Sequence, residues 1–139
     1  GCYMAIANGS KNNPIKTLIK NNKCTWFIPK VSTLHAREKW IVSSIGSDGK
    51  IFIDDGAAKA LKNGKSLLPA GITKVEGKFI KGDNVLIIDN NGKDCARGLS
   101  SFSSDEIKKI MGYQSNEIEK ILGYISKSEV VHKDDLVKI

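Results

Sequence analysis

The sequence predicts a small α+β domain, a pseudobarrel of short mixed strands with short helices packed on it. Short apolar runs alternate with turns that contain glycine or asparagine, which is typical of short strands. Other segments carry apolar residues at helical spacing but are too short to be stable without a body to pack on. The 139 residues are enough for one domain, or for one domain with a tail.

The composition is that of an ordinary globular chain, with 40% hydrophobic and 27% charged residues. No apolar run approaches the roughly 20 residues of a membrane-spanning helix, so we expect no membrane partner. Cys2, Cys24 and Cys95 lie far apart and form no CxxC pair, so no zinc site is predicted. An odd number of cysteines without a recognisable secretion signal fits the reducing cytoplasm.

The net charge of +7 comes mainly from the first part of the chain. Residues 1–35 contain five lysines and no acidic residue, whereas residues 105–139 contain six basic and seven acidic residues. A basic chain is a candidate for binding nucleic acid. The same Lys- and Asn-rich composition is also typical of a solvated linker, so the charge alone leaves both interpretations open.

The chain begins with an apolar run, Cys2–Ala7, that predicts a buried strand. The polar segment Ser10–Lys23 that follows offers this strand no partner, although Pro14–Ile19 is expected to form a helical turn. A second strand is predicted at Cys24–Ile28. Because buried amides without partners are costly, residues 2–7 should pair with another chain or with an exposed sheet edge.

The next segments alternate between helix and strand. Apolar spacing predicts a helix at Ala36–Ile45 and a short strand at Lys50–Asp54. A second helix is predicted at Ala57–Leu61, with Asp55 as the cap of its free N–H groups and Gly64 at its end.

The strongest strand signals lie in the middle of the chain. After a loop, Ile72–Phe79 has the composition of a strand. A hairpin is predicted between Asp83–Asp89 and Asp94–Leu99, because Asn91-Gly92 suits the positive φ of a tight turn. Val85–Ile88 is apolar on both faces, so this strand should be central and covered on both sides.

One internal repeat follows. Ser104–Tyr113 and Ser115–Tyr124 are identical at seven of ten positions, and each combines cap residues, an apolar triplet, glycine and tyrosine. These are the start and stop signals of a short helix. The end of the chain predicts a strand over Glu129–His132 and Leu136–Ile139. The residues expected to dock the two helices on the body are Ile107, Ile110, Met111, Ile118, Ile121 and Leu122.

No segment predicts a catalytic or metal site. Gly64-Lys65-Ser66 looks like the end of a phosphate-binding loop, but that motif needs a glycine where Lys59 stands. Asp54-Asp55 and Asp134-Asp135 are adjacent acids, and strand neighbours point to opposite faces, so capping and solvated turns are favoured. His132 beside Asp134 has no nucleophile near it in sequence. We therefore predict no catalytic, cofactor-binding or metal-binding residue.

A set of basic residues in the middle of the chain is the candidate for RNA contact. Lysines on one face would bind phosphates, but single-strand recognition usually adds aromatic stacking. Trp26, Trp40, Phe52 and Phe79 are expected in the core, so a solvated lysine surface is the favoured interpretation and RNA binding the alternative. The candidate RNA-binding residues are Lys59, Lys62, Lys65, Lys74, Lys78 and Arg97.

Four segments occur in an order that carries a family resemblance: Asp54–Leu61, Ser66–Ile72, Gly82–Val85 and Ala96–Gly98. In this order they resemble the PUA domain, a small RNA-associated pseudobarrel module. The resemblance implies a PUA-like pseudobarrel that includes the helical repeat and the final strand. RNA binding does not follow from it, because a fold does not fix a function.

Further motifs extend the resemblance over nearly the whole chain. They are Gly1-Cys2 with Ile6–Gly9, Asn13-Pro14, Thr25–Pro29, Ala36-Arg37 with Lys39–Ile41, Lys65–Pro69, Val75, Gly77 and Phe79, Ile121–Tyr124, and Val130–Leu136. Together they are similar to the C-terminal part of the bacterial glutamate 5-kinase family. This similarity implies that residues 1–9 are the terminal strand of a truncated amino-acid-kinase domain, that residues 10–35 are a linker, and that residues 36–139 are the PUA domain.

The similarity also implies a function for the parent protein. The family transfers the γ-phosphate of ATP, with magnesium, to the side-chain carboxylate of L-glutamate, which gives L-glutamyl 5-phosphate on the way to proline. Its catalytic residues precede the region matched here, so none is carried over. The implied partners are the kinase domain of the same polypeptide and further copies in a homo-oligomer. Two functions of this chain remain: a non-catalytic regulatory or assembly module, or an RNA-binding module.

Overall fold

The computed structural model describes residues 2–10, 12–21, 24–30, 36, 39–41, 49–124 and 126–139. The chain divides into two compact units, Gly1–Arg37 and Glu38–Ile139. Of the predicted helix Ala36–Ile45, residues 36 and 39–41 are helical, and the others lie outside the described residues.

The first unit contains β1 (Met4–Ile6), α1 (Pro14–Asn21) and β2 (Thr25–Phe27). The two strands pair antiparallel, with Met4 opposite Phe27. Both predicted strands and the helical turn are confirmed. The expectation that residues 2–7 need another chain or an exposed sheet edge is wrong, because β2 supplies their partner within the same unit. Both α1 and β2 lie within residues 10–35, the segment for which a linker was expected.

The burial predicted for this unit is also wrong. The side chain of Tyr3 is 70% exposed, and Trp26, which was expected in the core, is 47% exposed. A two-stranded ribbon has two faces and little material to cover them, which explains the exposure. The large exposed apolar residues of this unit are Tyr3, Met4, Ile6, Ile15, Ile19, Trp26, Phe27 and Ile28.

The second unit is built on a five-stranded sheet. Its strands are β3 (Gly49–Ile53), β4 (Ile72–Glu76), β5 (Asn84–Ile88), β6 (Asp94–Leu99) and β7 (Leu136–Lys138). They lie in the order β4-β3-β5-β6-β7, and only the β3–β5 pair is parallel among these neighbours. Together with several short helices, this mixed sheet confirms the predicted α+β class.

The predicted hairpin is confirmed as β5 and β6. As expected, β5 is the central strand and is buried on both faces, with Val85, Ile87 and Ile88 nearly inaccessible. In the turn, Gly92 has a φ of 78°. The Asp89 carboxylate accepts hydrogen bonds from the N–H groups of Lys93 and Asn91, both at 2.9 Å. These bonds, that from Lys93 first, lower the pKa of Asp89.

Within residues 49–124, the sheet is accompanied by the α-helices α2 (Asp55–Lys62), α3 (Ser104–Ile110) and α4 (Ile118–Leu122). The predicted cap of α2 is wrong by one residue. Asp54 is the N-cap, and its Oδ1 accepts a hydrogen bond from the N–H of Ala57 at 2.7 Å. Asp55 lies instead in the first helical turn, where a carboxylate is also favourable.

The repeat forms two helical segments that dock on the sheet, as predicted. Ile107, Ile110 and Ile118 are fully buried in the core. The remaining members of the predicted docking set, Met111, Ile121 and Leu122, pack against the core in partly buried positions. A glycine with positive φ follows each segment: Gly112 comes directly after Met111, the C-cap of α3, and Gly123 is itself the C-cap of α4. The repeat therefore encodes two helical segments with similar N-terminal and C-terminal signals, and the apolar residues of both segments pack against the core.

A side-chain hydrogen bond joins the two repeats. Glu106 closes the capping box of α3, and the hydroxyl of Tyr124 donates to its Oε1 at 2.5 Å. Partial burial opposes ionisation of Glu106, but the hydrogen bonds from Tyr124 and Ser103 outweigh it and lower the pKa of Glu106. The same bond raises the pKa of Tyr124.

Replacing Tyr124 by phenylalanine should destabilise the second unit most near neutral pH. The lowered pKa of Glu106 contributes stability above its unfolded value and loses it as the pH falls through the folded value. Tyr124→Phe removes the largest favourable cause, so we expect a loss of about 1 kcal/mol at pH 7 that shrinks towards pH 3. Urea denaturation at a series of pH values measures this difference.

The repeat itself provides the control for this variant. Tyr113 occupies the equivalent position of the first repeat and is similarly exposed, but its hydroxyl has no hydrogen-bond partner among the described residues. Tyr113→Phe should leave the stability nearly unchanged at every pH. Equal losses in the two variants would contradict a specific role for the Tyr124–Glu106 bond.

Candidate ligand-binding cleft

A cleft of about 590 Å³ lies between α2 and the loop of residues 65–71. This volume is within the range of small-molecule sites in proteins. Its walls combine small, apolar and charged side chains. The lining residues are Asp54, Gly56, Ala57, Ala60, Lys65, Ser66, Leu68, Ala70, Gly71 and Glu129.

Small residues bring the two walls of the cleft together. A Cβ atom on Gly71 would lie 2.5 Å from the Cβ of Ala57, which is too close for two carbon atoms. The backbone N–H of Asp54 donates to the carbonyl of Gly71 at 3.0 Å, which fixes this end of the cleft. At the other end, the N–H of Lys65 donates to the carbonyl of Ala60 at 3.1 Å.

The C-terminal segment holds the loop from the opposite side. The N–H of Leu67 donates to the carbonyl of Val131, and the N–H of Val130 donates to the carbonyl of Leu67, both at 2.8 Å. The hydroxyl of Ser66 accepts a hydrogen bond from the N–H of Lys133 at 3.0 Å. Leu67 is therefore 1% exposed, whereas Leu68 is 44% exposed at the cleft.

Three charged side chains line the cleft, and two of them are free to meet a ligand. Asp54 already caps α2 through Oδ1. In the part of the chain that the structure describes, the side chains of Lys65 and Glu129 have no hydrogen-bond or ion-pair partner. The lining thus carries two carboxylates against one ammonium group.

Comparison with known proteins assigns the second unit to a family. The sequence profile of the PUA domain matches residues 49–122. This range includes β3–β6, α2, the loop of residues 65–71, the first repeat, and the second repeat except its last two residues. The chain belongs to the PUA domain family. The predicted PUA-like class is thereby confirmed.

Curated relatives of the PUA-containing chain are glutamate 5-kinases. The enzyme of Pelagibacter ubique (strain HTCC1062) is 66% identical over 139 residues, which are 100% of this chain and 38% of that protein. The enzyme of Paramagnetospirillum magneticum (strain ATCC 700264 / AMB-1) is 48% identical over 137 residues, 99% of this chain and 37% of the relative. The chain therefore spans little more than a third of the length of these relatives.

Among solved structures, a PUA domain from Aeropyrum pernix K1, crystallised as a tartrate complex, is 23% identical to this chain. The likeness covers 61% of this chain and 41% of that one, with a TM-score of 0.47. At this distance it carries no argument about the ligand of the present PUA domain.

Only one of the six candidate RNA-binding residues lines the cleft of the PUA domain, namely Lys65. Lys59 and Lys62 are exposed on the last turn of α2. Lys74 forms an ion pair with Glu76 at 2.7 Å and lies 5.4 Å from the centre of the Phe52 ring. Its ammonium therefore already has two neighbours.

Lys74 and Arg97 belong to the sheet rather than to the cleft. Strand pairing places Arg97 opposite Leu86, and Leu86 opposite Lys50. This row lies on the same sheet face as Lys74, opposite to the face that packs on α2. Lys74 and Arg97 lie on strands three positions apart, about 14 Å. Lys78 is exposed in the turn after β4.

The expected aromatic core of the chain is confirmed only in part. Phe79 is buried and Phe52 is half-buried, but Trp40, like Trp26, is exposed, with 56% of its surface accessible. The prediction that both tryptophans lie in the core is therefore wrong. Neither of them lines the cleft, so the structure shows no aromatic platform there among the described residues.

The other chemical candidates have structural roles in the described part of the chain. Gly64-Lys65-Ser66 follows the end of α2, whereas a phosphate-binding loop precedes a helix. Nδ1 of His132 accepts the N–H of Asp134 at 3.2 Å and so caps a short turn. Among the residues described, no group of three or more His, Cys, Asp or Glu could hold a metal ion, and no helix is long and apolar enough to cross a membrane.

The cleft makes a direct prediction for Gly71. A methyl group at this position would overlap Ala57 and would push the loop away from α2. We expect Gly71→Ala to lower the free energy of unfolding by about 1–3 kcal/mol, as overpacking does elsewhere. Chemical denaturation measures the loss.

Gly9→Ala is the control for Gly71→Ala. A Cβ at Gly9 meets nothing within 4 Å, so this variant should unfold like the parent chain. If Gly71→Ala retained full stability, the close approach of the two cleft walls would not be a constraint on the fold.

Proposed function

We propose that this chain is the PUA-containing C-terminal region of a glutamate 5-kinase. That enzyme transfers the γ-phosphate of ATP to the side-chain carboxylate of L-glutamate and forms L-glutamyl 5-phosphate, the first step of proline biosynthesis. The observation that supports this proposal is the 66% identity with the Pelagibacter enzyme over all 139 residues. Since the chain covers 38% of that relative, ATP and magnesium would be bound by the remainder of the polypeptide.

Within the parent enzyme, the proposed role of this chain is regulation or assembly rather than catalysis. Groups with shifted pKa values in the described residues are Glu76, Asp89, Cys95, Glu106 and Tyr124. None of them lines the cleft, and hydrogen bonds to nearby groups or burial cause their pKa shifts. This distribution supports a structural use of the titratable groups.

The exposed apolar residues of the first unit support a partner for it. A two-stranded sheet is marginal alone, and contiguous exposed apolar surface usually marks an interface. We propose that residues 1–9 are the terminal strand of the amino-acid-kinase domain, that residues 10–35 connect the domains, and that residues 36–139 are the PUA domain. The kinase domain of the same polypeptide is the proposed partner, in a homo-oligomer that works in the cytoplasm.

Kinase assays on two proteins test this proposal. The complete gene product that contains this sequence should convert ATP to ADP in a reaction that depends on L-glutamate and magnesium. The 139-residue chain alone should show no glutamate-dependent turnover above background. Coupled detection of ADP, with L-aspartate replacing L-glutamate as the control acceptor, measures both.

The two assays separate the two parts of the proposal. Turnover by the 139-residue chain alone would contradict the non-catalytic role. A complete gene product that is folded but lacks glutamate-dependent turnover would contradict the assignment to glutamate 5-kinase.

RNA binding stays a second prediction for the PUA domain. The observation in its favour is that Lys59, Lys62 and Lys65 lie exposed within one helix end and its following loop. If RNA binds there, its affinity should fall as salt rises, and replacing the three lysines by glutamine should weaken binding and reduce the salt dependence. Fluorescence titration of a structured RNA at two salt concentrations measures this, and no binding at low salt would exclude it.

A further inference from the structure

The cleft has a positive end and a negative end. Leu67 and Val131 form an antiparallel bridge, so residues before Val131 run beside residues after Leu67. Glu129, two residues before Val131, therefore lies beside the Pro69 end of the loop. Lys65, two residues before Leu67, lies at the other end. The two unpartnered charges of the lining are thus separated along the cleft.

The third charge lies at the negative end. The backbone N–H of Asp54 donates to the carbonyl of Gly71, so its carboxylate stands where the loop finishes. The helix α2 then runs away from Asp54 towards Lys65, whose N–H bonds to the carbonyl of Ala60. The two residues that carry carboxylates, Asp54 and Glu129, are therefore attached at one end of the cleft, and Lys65 is attached at the other.

Between the charged ends, the walls are small and apolar. Ala57 and Ala60 are one helical turn apart on α2, and Leu68 and Ala70 face them from the loop. Four residue steps separate Lys65 from Pro69, which is at most about 13 Å in an extended chain. Since the side chains of Lys65 and Glu129 both line the cleft, the span left for a ligand is shorter.

We propose that this cleft binds an elongated dipolar small molecule, with a carboxylate at the Lys65 end, an ammonium or guanidinium group at the Asp54 and Glu129 end, and an apolar chain between them. Such a molecule provides a partner of opposite charge for both Lys65 and Glu129, and its apolar chain covers the alanines between them. A phosphate group in the same cleft would be attracted by one ammonium group but repelled by two carboxylates, which is unfavourable.

A series of small molecules tests the spacing and the two charges. The probe is 6-aminohexanoate, titrated into the 139-residue chain and followed by NMR shifts of the cleft amides. Hexanoate lacks the cation, hexylamine lacks the anion, and glycine has both charges without the spacer. We expect hexanoate and hexylamine each to bind up to about fivefold more weakly than 6-aminohexanoate, as expected for the loss of one partly exposed charge pair. Glycine should also bind more weakly, because without the spacer it cannot reach both ends of the cleft at once.

Two substitutions then assign the ends of the cleft. Glu129→Gln should weaken 6-aminohexanoate and hexylamine but leave hexanoate unchanged. Lys65→Gln should weaken 6-aminohexanoate and hexanoate but leave hexylamine unchanged. Lys59→Gln, an exposed lysine of α2 outside the lining, is the control and should change none of them. Asp54 is left intact because it caps α2.

Several results would overturn the proposal. No shift of the cleft amides with 6-aminohexanoate, equal binding of 6-aminohexanoate and glycine, or loss of binding in Lys59→Gln would each do so. So would a structured RNA that shifts the cleft amides when 6-aminohexanoate does not. Because the readout is binding to this chain, its outcome is independent of the kinase activity proposed for the parent protein.

Discussion

The second unit depends on the backbone pairing at Leu67. The N–H of Leu67 donates to the carbonyl of Val131, and the carbonyl of Leu67 accepts from the N–H of Val130, both at 2.8 Å. The side chain of Leu67 is buried. Buried peptide groups need partners, so this pairing is obligatory once Leu67 enters the core. The same C-terminal segment bonds to Ser101, and the loop carbonyl of Pro69 accepts from Gly112. One short contact therefore joins the cleft loop, the end of β6 and the repeat helices.

Local patterns in the sequence were sufficient for most of the second unit. The hairpin followed from Asn91-Gly92, and the repeat helices followed from caps, apolar spacing and terminal glycines. Expectations failed where the answer depends on neighbours distant in sequence, among them the cap of α2 and the burial of the first strand. The N-cap of α2 is Asp54 rather than Asp55, and the backbone N–H of Asp54 is held by the carbonyl of Gly71, 17 positions away. The first strand is exposed because its partner, β2, is itself an isolated ribbon strand.

The candidate site was much less predictable than the fold. Lys65 and Glu129 are 64 positions apart, and hydrogen bonds between the loop and the C-terminal segment, among them those of Leu67, place them on one cleft. The six basic residues selected from the sequence are divided among α2 with its following loop, the sheet, and the turn after β4 for the same reason. Strand order does not follow chain order, so β4 lies at the sheet edge and β6 lies beyond β5. Gly56, Ala57 and Ala60 are small residues close together in sequence, and they were the one local sequence feature that indicated a helix face without large side chains.

The residues that shape the cleft differ from those that give it charge. Gly71, Ala57 and Leu67 set the distance between its walls through backbone contacts and close packing. The side chains of Lys65 and Glu129 make no hydrogen bond or ion pair among the described residues, and we expect their replacement to leave those walls in place. The packing of α2 against the loop therefore accounts for the presence of the cavity, whereas we expect the charges that line it to decide what enters it. Any ligand of this cleft would have to match this charge pattern. A phosphate-rich ligand would be repelled by the two carboxylates at the Gly71 end.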